Sequence, residues 1–302
     1  MDKKVLIALH KPYRVPSDDM YIPLHVGAKE KPMFFRTGDS VVSEDEMYRT
    51  SDEDAGSDVF YPIAEDDVGD NISEKNPYYC ELTGLYYAYK NWKYDALGLV
   101  HYRRYFKSPN ASAMERDVFK NILTGEEADD LLQAHDIIVP KRRNYYIESL
   151  YTHYAHTHEK EHLLFAARII QEMKPAYYPY VSPAFNSREG FMFNMFIMKK
   201  DLMDSYFDFM FPVLFELEDR LTKAGLGYFM PEDDTHDAKK EADFKNRMYG
   251  RVSEILFNVW FLKEAPTFTE LPMLETEKTN WIEKGTSFVN AKFFGQKYTG
   301  SF

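Results

Sequence analysis

The stretch ALGLVHY, residues 96–102, decides the fold. Its apolar residues are too continuous for a strand with one face in water, so it predicts a strand buried on both faces of a sheet. Two further stretches, KVLIAL at 4–9 and IIV at 137–139, have the same character, and Pro140 ends the second of them. We interpret the three as strands of one parallel sheet.

Helical patterns separate these strands. Asn76 is a good N-cap, Pro77 suits the first helical position, and apolar residues then recur at helical spacing to about Trp92. Thr124 and Glu127 form a capping box for a second, shorter helix. The alternation of strands and helices predicts an α/β fold with a mostly parallel sheet flanked by helices.

The second half of the chain predicts more helix than strand. The predicted elements are, in order, helix 148–173, strand 191–198, helix 201–218 and helix 251–263. The acidic stretch 43–58 predicts a solvated loop, and residues 219–247 are polar and rich in Gly and Asp. We find no internal repeat, linker or clear boundary, so we predict one domain over 1–302.

Composition excludes several classes of protein. The 302 residues are 44% hydrophobic and 28% charged, which is typical of a soluble globular protein, and no apolar run is long enough for a transmembrane helix. The net charge of −12 argues against nucleic-acid binding, and a lone cysteine, Cys80, excludes a disulfide framework or a cysteine zinc site. No signal peptide is predicted, so we expect a cytoplasmic protein.

Basic residues follow each of the three predicted strands. They are His10, Lys11 and Arg14 after the first, His101, Tyr102, Arg103, Arg104 and Lys107 after the second, and Lys141, Arg142 and Arg143 after the third. In an open parallel sheet these strand ends share one edge, where ligands bind. A basic edge on an acidic protein suits a polyanionic ligand such as a diphosphate, although solvated loop charges are the simpler alternative.

Two local patterns near that edge leave alternatives open. If 101–104 continue as a strand, Arg103 and Arg104 face opposite sides, so one reaches the ligand while the other braces a carboxylate. The polar run Asp70, Asn71 and Ser73 leads into Asn76, where a helix N-terminus favours an anion or a sugar hydroxyl. The alternative is that this run is only a turn and a cap.

Residues 158–162 fit the H-E-x-x-H pattern of zinc peptidases. On one helix, His158 and His162 would share a face as two zinc ligands, with Glu159 as the base. The surrounding HTHEKEH is polar all round and no third ligand motif follows, so we favour a solvated helix face.

Several stretches together resemble a bacterial family known as domain of unknown function 4422. They are KVLIALHKPY, YIPLHVGA, GDNISEKNPYYCELTGLYYAYKN, LGLVHYRRYF, NMFIMKK and RVSEILFNVW, which run in order from about residue 3 to 263. Members of this family are mostly described as capsular or exopolysaccharide glycosyltransferases. The resemblance implies a GT-A-like, Rossmann-like transferase using a nucleotide sugar, with some relatives linked to galactofuranose transfer from UDP-galactofuranose. It also implies a donor-nucleotide half over about 1–145, an acceptor half over about 146–265 and a C-terminal wrap over 266–302.

The resemblance gives roles to individual residues. GT-A enzymes usually hold a divalent metal with Asp-x-Asp where this chain has HYRR, so we expect Arg103 or Arg104, with Lys141 or His10, to neutralise the leaving diphosphate. Asp-x-Asp-like runs do occur at 52–58, 65–67 and 232–237, so Mn²⁺ or Mg²⁺ stays open, but none follows an apolar stretch.

The remaining expected contacts concern the sugar and the acceptor. An inverting transferase needs a carboxylate base, for which Glu189 and Glu254 are candidates. Glu81 is expected to touch the donor sugar, and Asn194 and Met195 the acceptor or the donor sugar. The expected partners are a UDP-sugar and a lipid-linked surface glycan, with peripheral membrane contact. A non-catalytic glycan- or nucleotide-binding module is the alternative.

Overall fold

The computed structural model describes residues 1–10, 13–29, 36–37, 40–41 and 64–276. The predicted loop 43–58, Lys11 and the end of the predicted C-terminal wrap lie outside these residues. The described strands are β1 (Lys3–Leu9), β2 (Tyr21–His25), β3 (Arg36–Thr37), β4 (Ser40–Val41), β5 (Ala64–Glu65), β6 (Ala96–His101), β7 (Arg104–Phe106), β8 (Ile137–Pro140), β9 (Arg143–Asn144), β10 (Glu189–Gly190), β11 (Phe196–Lys199), β12 (Phe268–Leu271) and β13 (Met273–Glu275).

Helices alternate with these strands and predominate after β8. They are α1 (Asn76–Tyr79), α2 (Leu82–Asn91), α3 (Gly125–Ala134), α4 (Leu150–Thr157), α5 (Glu161–Met173), α6 (Val181–Asn186), α7 (Lys200–Lys223), α8 (His236–Asn246) and α9 (Met248–Glu264). Short 3₁₀ helices cover Ser73–Lys75, Val118–Asn121 and Tyr178–Tyr180.

The chain divides into two compact units. The first comprises Met1–Lys141, Asn194–Met203 and Pro266–Thr276, and the second contains Arg142–Phe193 and Asp204–Ala265. The first unit holds the main sheet with α1, α2 and α3, and the second is mostly helical.

The main sheet is mixed and mostly parallel, in the order β12-β8-β11-β6-β1-β2-β5, as expected for an α/β fold. β1 pairs in parallel with both β2 and β6, whereas β11 is antiparallel to β6 and β8. The three predicted strands are present, and Leu6, Leu99 and Ile138 on them are fully buried. A Cβ on Gly98 would lie 2.9 Å from the Phe196 carbonyl oxygen, so a side chain there would push β6 and β11 apart.

Local chemistry explains several boundaries. The capping box is confirmed, because Thr124 accepts from the Glu127 amide and Glu127 accepts from the Thr124 amide. The prediction of Asn76 as an N-cap is wrong: the 3₁₀ turn before it already winds the chain, so Asn76 begins α1. Cys80, at φ 53°, then separates α1 from α2, where one helix was expected.

Two other expected boundaries are wrong. The helix predicted over 148–173 is two helices, α4 and α5. The polar stretch 219–247, for which no element was predicted, contains α8. The strand predicted over 191–198 begins only at Phe196, because Phe193 and Asn194 adopt left-handed backbone angles, φ 72° and 53°.

Within the second unit, α9 is the central helix. Its residues from Val252 to Phe261 are all buried, so it is apolar nearly all round. Aromatic side chains dominate this core: Tyr206 on α7 lies edge-on to Phe257 at 5.3 Å and tilted against Trp260 at 5.1 Å. Much of the chain's aromatic content is therefore packing.

Candidate functional site

The carboxyl ends of β1, β6 and β8 lie at one edge of the first unit's sheet. β6 pairs in parallel with β1, and β8 and β6 are both antiparallel to β11, so the three strands run the same way. His10, His101 and Lys141 therefore lie at one edge, as predicted. At about 4.8 Å per strand, Lys141 begins about 10 Å from the end of β6.

An aromatic cluster marks the ends of β1 and β6. The rings of Tyr13 and Tyr102 stack with centroids 3.9 Å apart, and His10 lies edge-on to Tyr102 at 5.1 Å. The guanidinium of Arg103, an exposed residue, lies 4.8 Å from the centre of the Tyr102 ring. We call His10, Tyr13, Tyr102 and Arg103 the edge cluster; it offers both flat apolar surface and positive charge.

Residues 101–104 form a hairpin and do not continue the strand. His101 of β6 pairs with Arg104 of β7, so Tyr102 and Arg103 form a two-residue turn. The expectation that 101 and 103 share one strand face is wrong for this reason. The turn instead projects Arg103 from the edge, beside Tyr102.

Arg104 has a different environment from Arg103. It pairs with Glu275 of β13 in the strand register, and its Nε lies 3.6 Å from the Glu275 carboxylate. Both side chains are mostly buried, with 17% and 26% exposed. Of the two roles that the sequence left open, the brace to a carboxylate therefore matches Arg104.

The other basic residues of the three clusters are dispersed. Arg14 forms an ion pair with Asp117 at 2.6 Å and lies over the Phe119 ring, and Lys107 follows β7. Arg142 and Arg143 belong to the second unit, where they lie over the rings of Phe191 and Tyr145.

Asp66, which the sequence offered only as part of a possible metal-binding run over 65–67, organises the neighbouring part of the same edge. Its carboxylate is fully buried and accepts from the amides of Gly27 and Ala28 at 3.0 and 3.1 Å. It also accepts from the hydroxyls of Ser73 at 2.5 Å and Thr83 at 2.6 Å. This carboxylate thus joins the turn after β2 to the start of α2, and Ser73 is buried within it.

The polar run before α1 forms a turn around this network. Asn71 donates to the Gly69 carbonyl and accepts from the Ser73 amide, while Asp70 accepts from the Tyr86 hydroxyl. The side-chain amide of Asn76 donates to the Cys80 carbonyl. These contacts are those of a turn, which was the alternative interpretation of this run. Binding of ligand hydroxyl groups by Asp70, Asn71, Ser73 and Asn76 stays a prediction.

The structure joins two residues that the sequence singled out separately. The side-chain amide of Asn194 donates to Glu81 at 2.7 Å across 113 positions of sequence. Asn194 is 4% exposed, and because it precedes an antiparallel strand it lies at the same edge as His101. Met195 is buried beside it, so an apolar contact with a ligand would need it to move.

A separate cavity of about 50 Å³ lies within the second unit. Its walls come from β9, α4, α8, α9 and the segment before β11. The side chains that line it include Arg143, His153, His158, Phe193, Phe244, Arg251 and Glu254. Glu254 is only 3% exposed and accepts from the Arg251 guanidinium at 3.2 Å.

Burial and the carboxylate of Glu148 determine the charge state of the histidines near this cavity. Burial would raise the pKa of Glu148, but hydrogen bonds from His153 and His156, at 3.0 and 2.7 Å, outweigh it and lower that pKa. Burial also lowers the pKa of His153, against the opposing Glu148, and lowers the pKa of His158 to about 3. Both rings are therefore uncharged at neutral pH.

Residues 4–265 match the family described as a domain of unknown function, DUF4422. The chain belongs to this family. A solved structure described as the WbbM bifunctional glycosyltransferase in its apo form has a similar fold, with a TM-score of 0.68 and 24% sequence identity. The match covers 92% of this chain and 46% of that one, so the DUF4422 chain spans less than half of that protein. No curated protein matches the chain.

The zinc-peptidase alternative for this DUF4422 chain fails on geometry. His158 is the C-cap residue after α4 and His162 lies in α5, so the two are not on one helix face. Both are buried, and His162 bonds to the Tyr154 hydroxyl at 2.8 Å, so the expectation of a solvated face is also wrong. Within the described ranges, no three His, Cys, Asp or Glu side chains are arranged to hold a metal ion.

The candidate bases and the Asp-x-Asp-like runs differ in their exposure. Glu189 is exposed on β10, whereas Glu254 is buried in the cavity. Of the Asp-x-Asp-like runs, 232–237 is largely exposed, 65–67 contains the bonded Asp66, and 52–58 lies outside the described residues. Every helix in the described part of the chain is too short or too polar to cross a membrane.

Proposed function

We propose that this chain is a glycosyltransferase that moves a sugar from a UDP-sugar to a growing capsular polysaccharide, exopolysaccharide or other cell-surface glycan. The donor sugar is galactose or galactofuranose. The fold shared with a structure described as a glycosyltransferase supports the reaction class. The edge cluster is the observation that carries the proposal, because it combines stacked rings and a guanidinium at the carboxyl ends of parallel strands.

The edge cluster suits the two parts of a nucleoside diphosphate. The stacked Tyr13 and Tyr102 rings offer a flat apolar surface for a base. Arg103 offers a planar fork that matches two phosphate oxygens. Arg104 already faces Glu275, so we assign the direct contact to Arg103 and a bracing role to Arg104.

The chemistry required of this edge is stabilisation of the leaving group. When the bond between the anomeric carbon and the diphosphate oxygen breaks, negative charge develops on the departing UDP. Arg103, His10 and the long side chain of Lys141 would donate to those oxygens, and fixed donors of this kind supply several kcal/mol of barrier lowering. Mn²⁺ or Mg²⁺ would supply the same charge stabilisation; the described residues near the edge show no carboxylate set for it.

Glu81 and Asn194 are the proposed contacts to the donor sugar. Their amide–carboxylate bond fixes both side chains and leaves the pair able to accept from and donate to sugar hydroxyls. Asp70, Asn71, Ser73 and Asn76 then act by shaping the turn around Asp66. For the acceptor, Glu254 and Glu189 stay the candidate bases, and Glu254 is the one that lines a cavity.

Ligand-dependent stabilisation tests the proposal directly. A ligand that binds only the native state raises its stability, so UDP and UDP-galactose are expected to raise the melting temperature. Replacing one charge-assisted phosphate contact should weaken UDP about tenfold to hundredfold in R103A. R116A is the matched control, since Arg116 is an exposed arginine of the same unit.

The outcomes separate an enzyme from a binding module. Slow release of sugar from UDP-galactose, lost in R103A and kept in R116A, identifies a transferase acting on water in place of its acceptor. UDP binding without any turnover identifies a non-catalytic module. If no nucleotide or nucleotide sugar shifts the melting temperature, the proposal is wrong. We propose that the protein acts in the cytoplasm, in peripheral contact with the inner face of the plasma membrane.

A further inference from the structure

We propose that the cavity in the second unit binds one neutral sugar residue. The walls of this cavity combine charged groups of both signs with apolar side chains, within a single compact unit. The inference rests on the proposed function, because it identifies a sugar residue as the part of the substrate that binds in this unit.

The charges on the wall select a neutral, hydroxyl-bearing ligand. Arg251 and Glu254 lie together on α9, joined at 3.2 Å, and Arg143 of β9 also lines the cavity. Guanidinium groups only donate and an ionised carboxylate only accepts, whereas a hydroxyl does both. Arg251 and Glu254 form an ion pair and Arg143 lies over the ring of Tyr145, so a hydroxyl that donates to the carboxylate and accepts from a guanidinium matches these groups without a charge of its own.

The remaining polar groups keep this selection at neutral pH. Burial lowers the pKa of His158 to about 3 and also lowers that of His153, so neither ring carries a charge that would attract an anion. In each neutral ring Nδ1 is already bonded, to Glu148 in His153 and to Thr157 in His158, so at most one nitrogen of each ring is left for a hydroxyl.

The apolar side of the cavity suits the carbon face of a sugar ring. Phe193 and Phe244 line it, and the Phe244 ring lies 5.0 Å from that of His158. Aromatic faces pack against the C–H bonds of a ring while its hydroxyls point to the polar wall. A volume of about 50 Å³ corresponds to the space of about four water molecules, which is enough for part of one monosaccharide.

Saturation-transfer NMR with methyl galactopyranoside and methyl glucopyranoside, both at millimolar concentration and without any nucleotide, tests the inference. We expect transfer to at least one glycoside from the unmodified protein. Loss of a charge-assisted hydrogen bond should weaken that binding about tenfold or more in E254Q. E264Q is the matched control, because Glu264 lies on the same helix and bonds to Tyr177 and Lys263 away from the cavity.

A second pair of variants covers the case in which E254Q fails to fold. F244A removes part of the apolar wall from a half-buried position, and F215A removes the same ring from a half-buried position on α7 outside the cavity. We expect F244A to weaken the glycoside and F215A to leave it unchanged. Equal loss in both members of either pair would overturn the inference.

Two further outcomes would also overturn it: no transfer to either glycoside, or displacement of a bound glycoside by inorganic phosphate. Because no nucleotide is present, this result is independent of the UDP shift that tests the proposed function. Sugar binding without a UDP response would contradict only the proposed function, and a UDP response without sugar binding would contradict only this inference.

Discussion

Replacing Asp66 with asparagine should destabilise the first unit by about 3–4 kcal/mol. The carboxylate accepts from four groups: the amides of Gly27 and Ala28 and the hydroxyls of Ser73 and Thr83. Hydrogen bonds to a charged group contribute about 1.5–3 kcal/mol each, against about 1 kcal/mol for a neutral pair. Losing the charge therefore costs about 1 kcal/mol for each of the four bonds, and a little less in total because they share one acceptor.

The neighbouring aspartate provides a matched control. Asp67 Oδ1 is also buried but has no hydrogen-bond partner in the described part of the chain, so removing its charge relieves a desolvation cost. We expect D67N to change the free energy of unfolding by less than about 1 kcal/mol. Urea denaturation followed by circular dichroism gives the global value, and hydrogen exchange of peptides containing Gly27 and Ala28 gives the local one.

The reasoning is refuted if D66N and D67N unfold at the same urea concentration, or if D66N leaves exchange at Gly27 and Ala28 unchanged. Loss of stability without faster local exchange would mean that Asp66 acts elsewhere than at the turn after β2. UDP binding should also weaken in D66N, because that turn lies at the same sheet edge as the edge cluster.

Three further predictions concern pH, the arginine brace and metals. Burial lowers the folded-state pKa of His158 to about 3 and that of His162 to about 4, so on acidification the unfolded chain binds these two protons before the folded chain does. The free energy of unfolding should therefore fall as the pH drops from about 6.5 towards 4, by up to about 2.7 kcal/mol per pH unit. Urea midpoints that stay constant over this pH range would contradict the burial of the two rings. A double-mutant cycle of R104A and E275A, measured by urea denaturation, should give a coupling energy of about 1 kcal/mol. If the effects of the two substitutions on the free energy of unfolding simply add, Arg104 does not brace Glu275. Transfer activity should persist in excess chelator, and complete loss that Mn²⁺ or Mg²⁺ restores would show that a metal, and not Arg103, neutralises the diphosphate.

The parts of the fold that local chemistry determines could be predicted. Continuous apolar runs gave the positions of β1, β6 and β8, and the Thr124–Glu127 pair gave the start of α3, because each signal lies within a few residues. The alternation with helices predicted that the carboxyl ends of these strands share one edge, but it did not predict the order of the strands. What these patterns lacked was any signal for an antiparallel strand, so the orientation of β11 was not predictable.

The misplaced elements depend on contacts distant in sequence. Residues 101–104 contain no Gly, Asn or Pro to signal a turn, and the hairpin there is supported by β13 pairing with β7. Asp66 lies in an acidic run that is typical of a solvated loop, and only the fold places Gly27, Ser73 and Thr83 around it. The break after His158 has no local signal either.

The antiparallel strand explains how one sheet edge could serve both parts of a sugar nucleotide. In a wholly parallel sheet, each strand contributes to the carboxyl edge only the residues at its end, and for β1, β6 and β8 these include His10, His101 and Lys141. Because β11 runs the other way, Asn194, which lies two residues before it, reaches the same edge, where it bonds to Glu81. In the proposed function, the cationic groups for the diphosphate thus lie at the ends of strands of one direction, and the amide for the sugar hydroxyls precedes a strand of the other direction. Reversing or deleting β11 would remove the second group and leave the first.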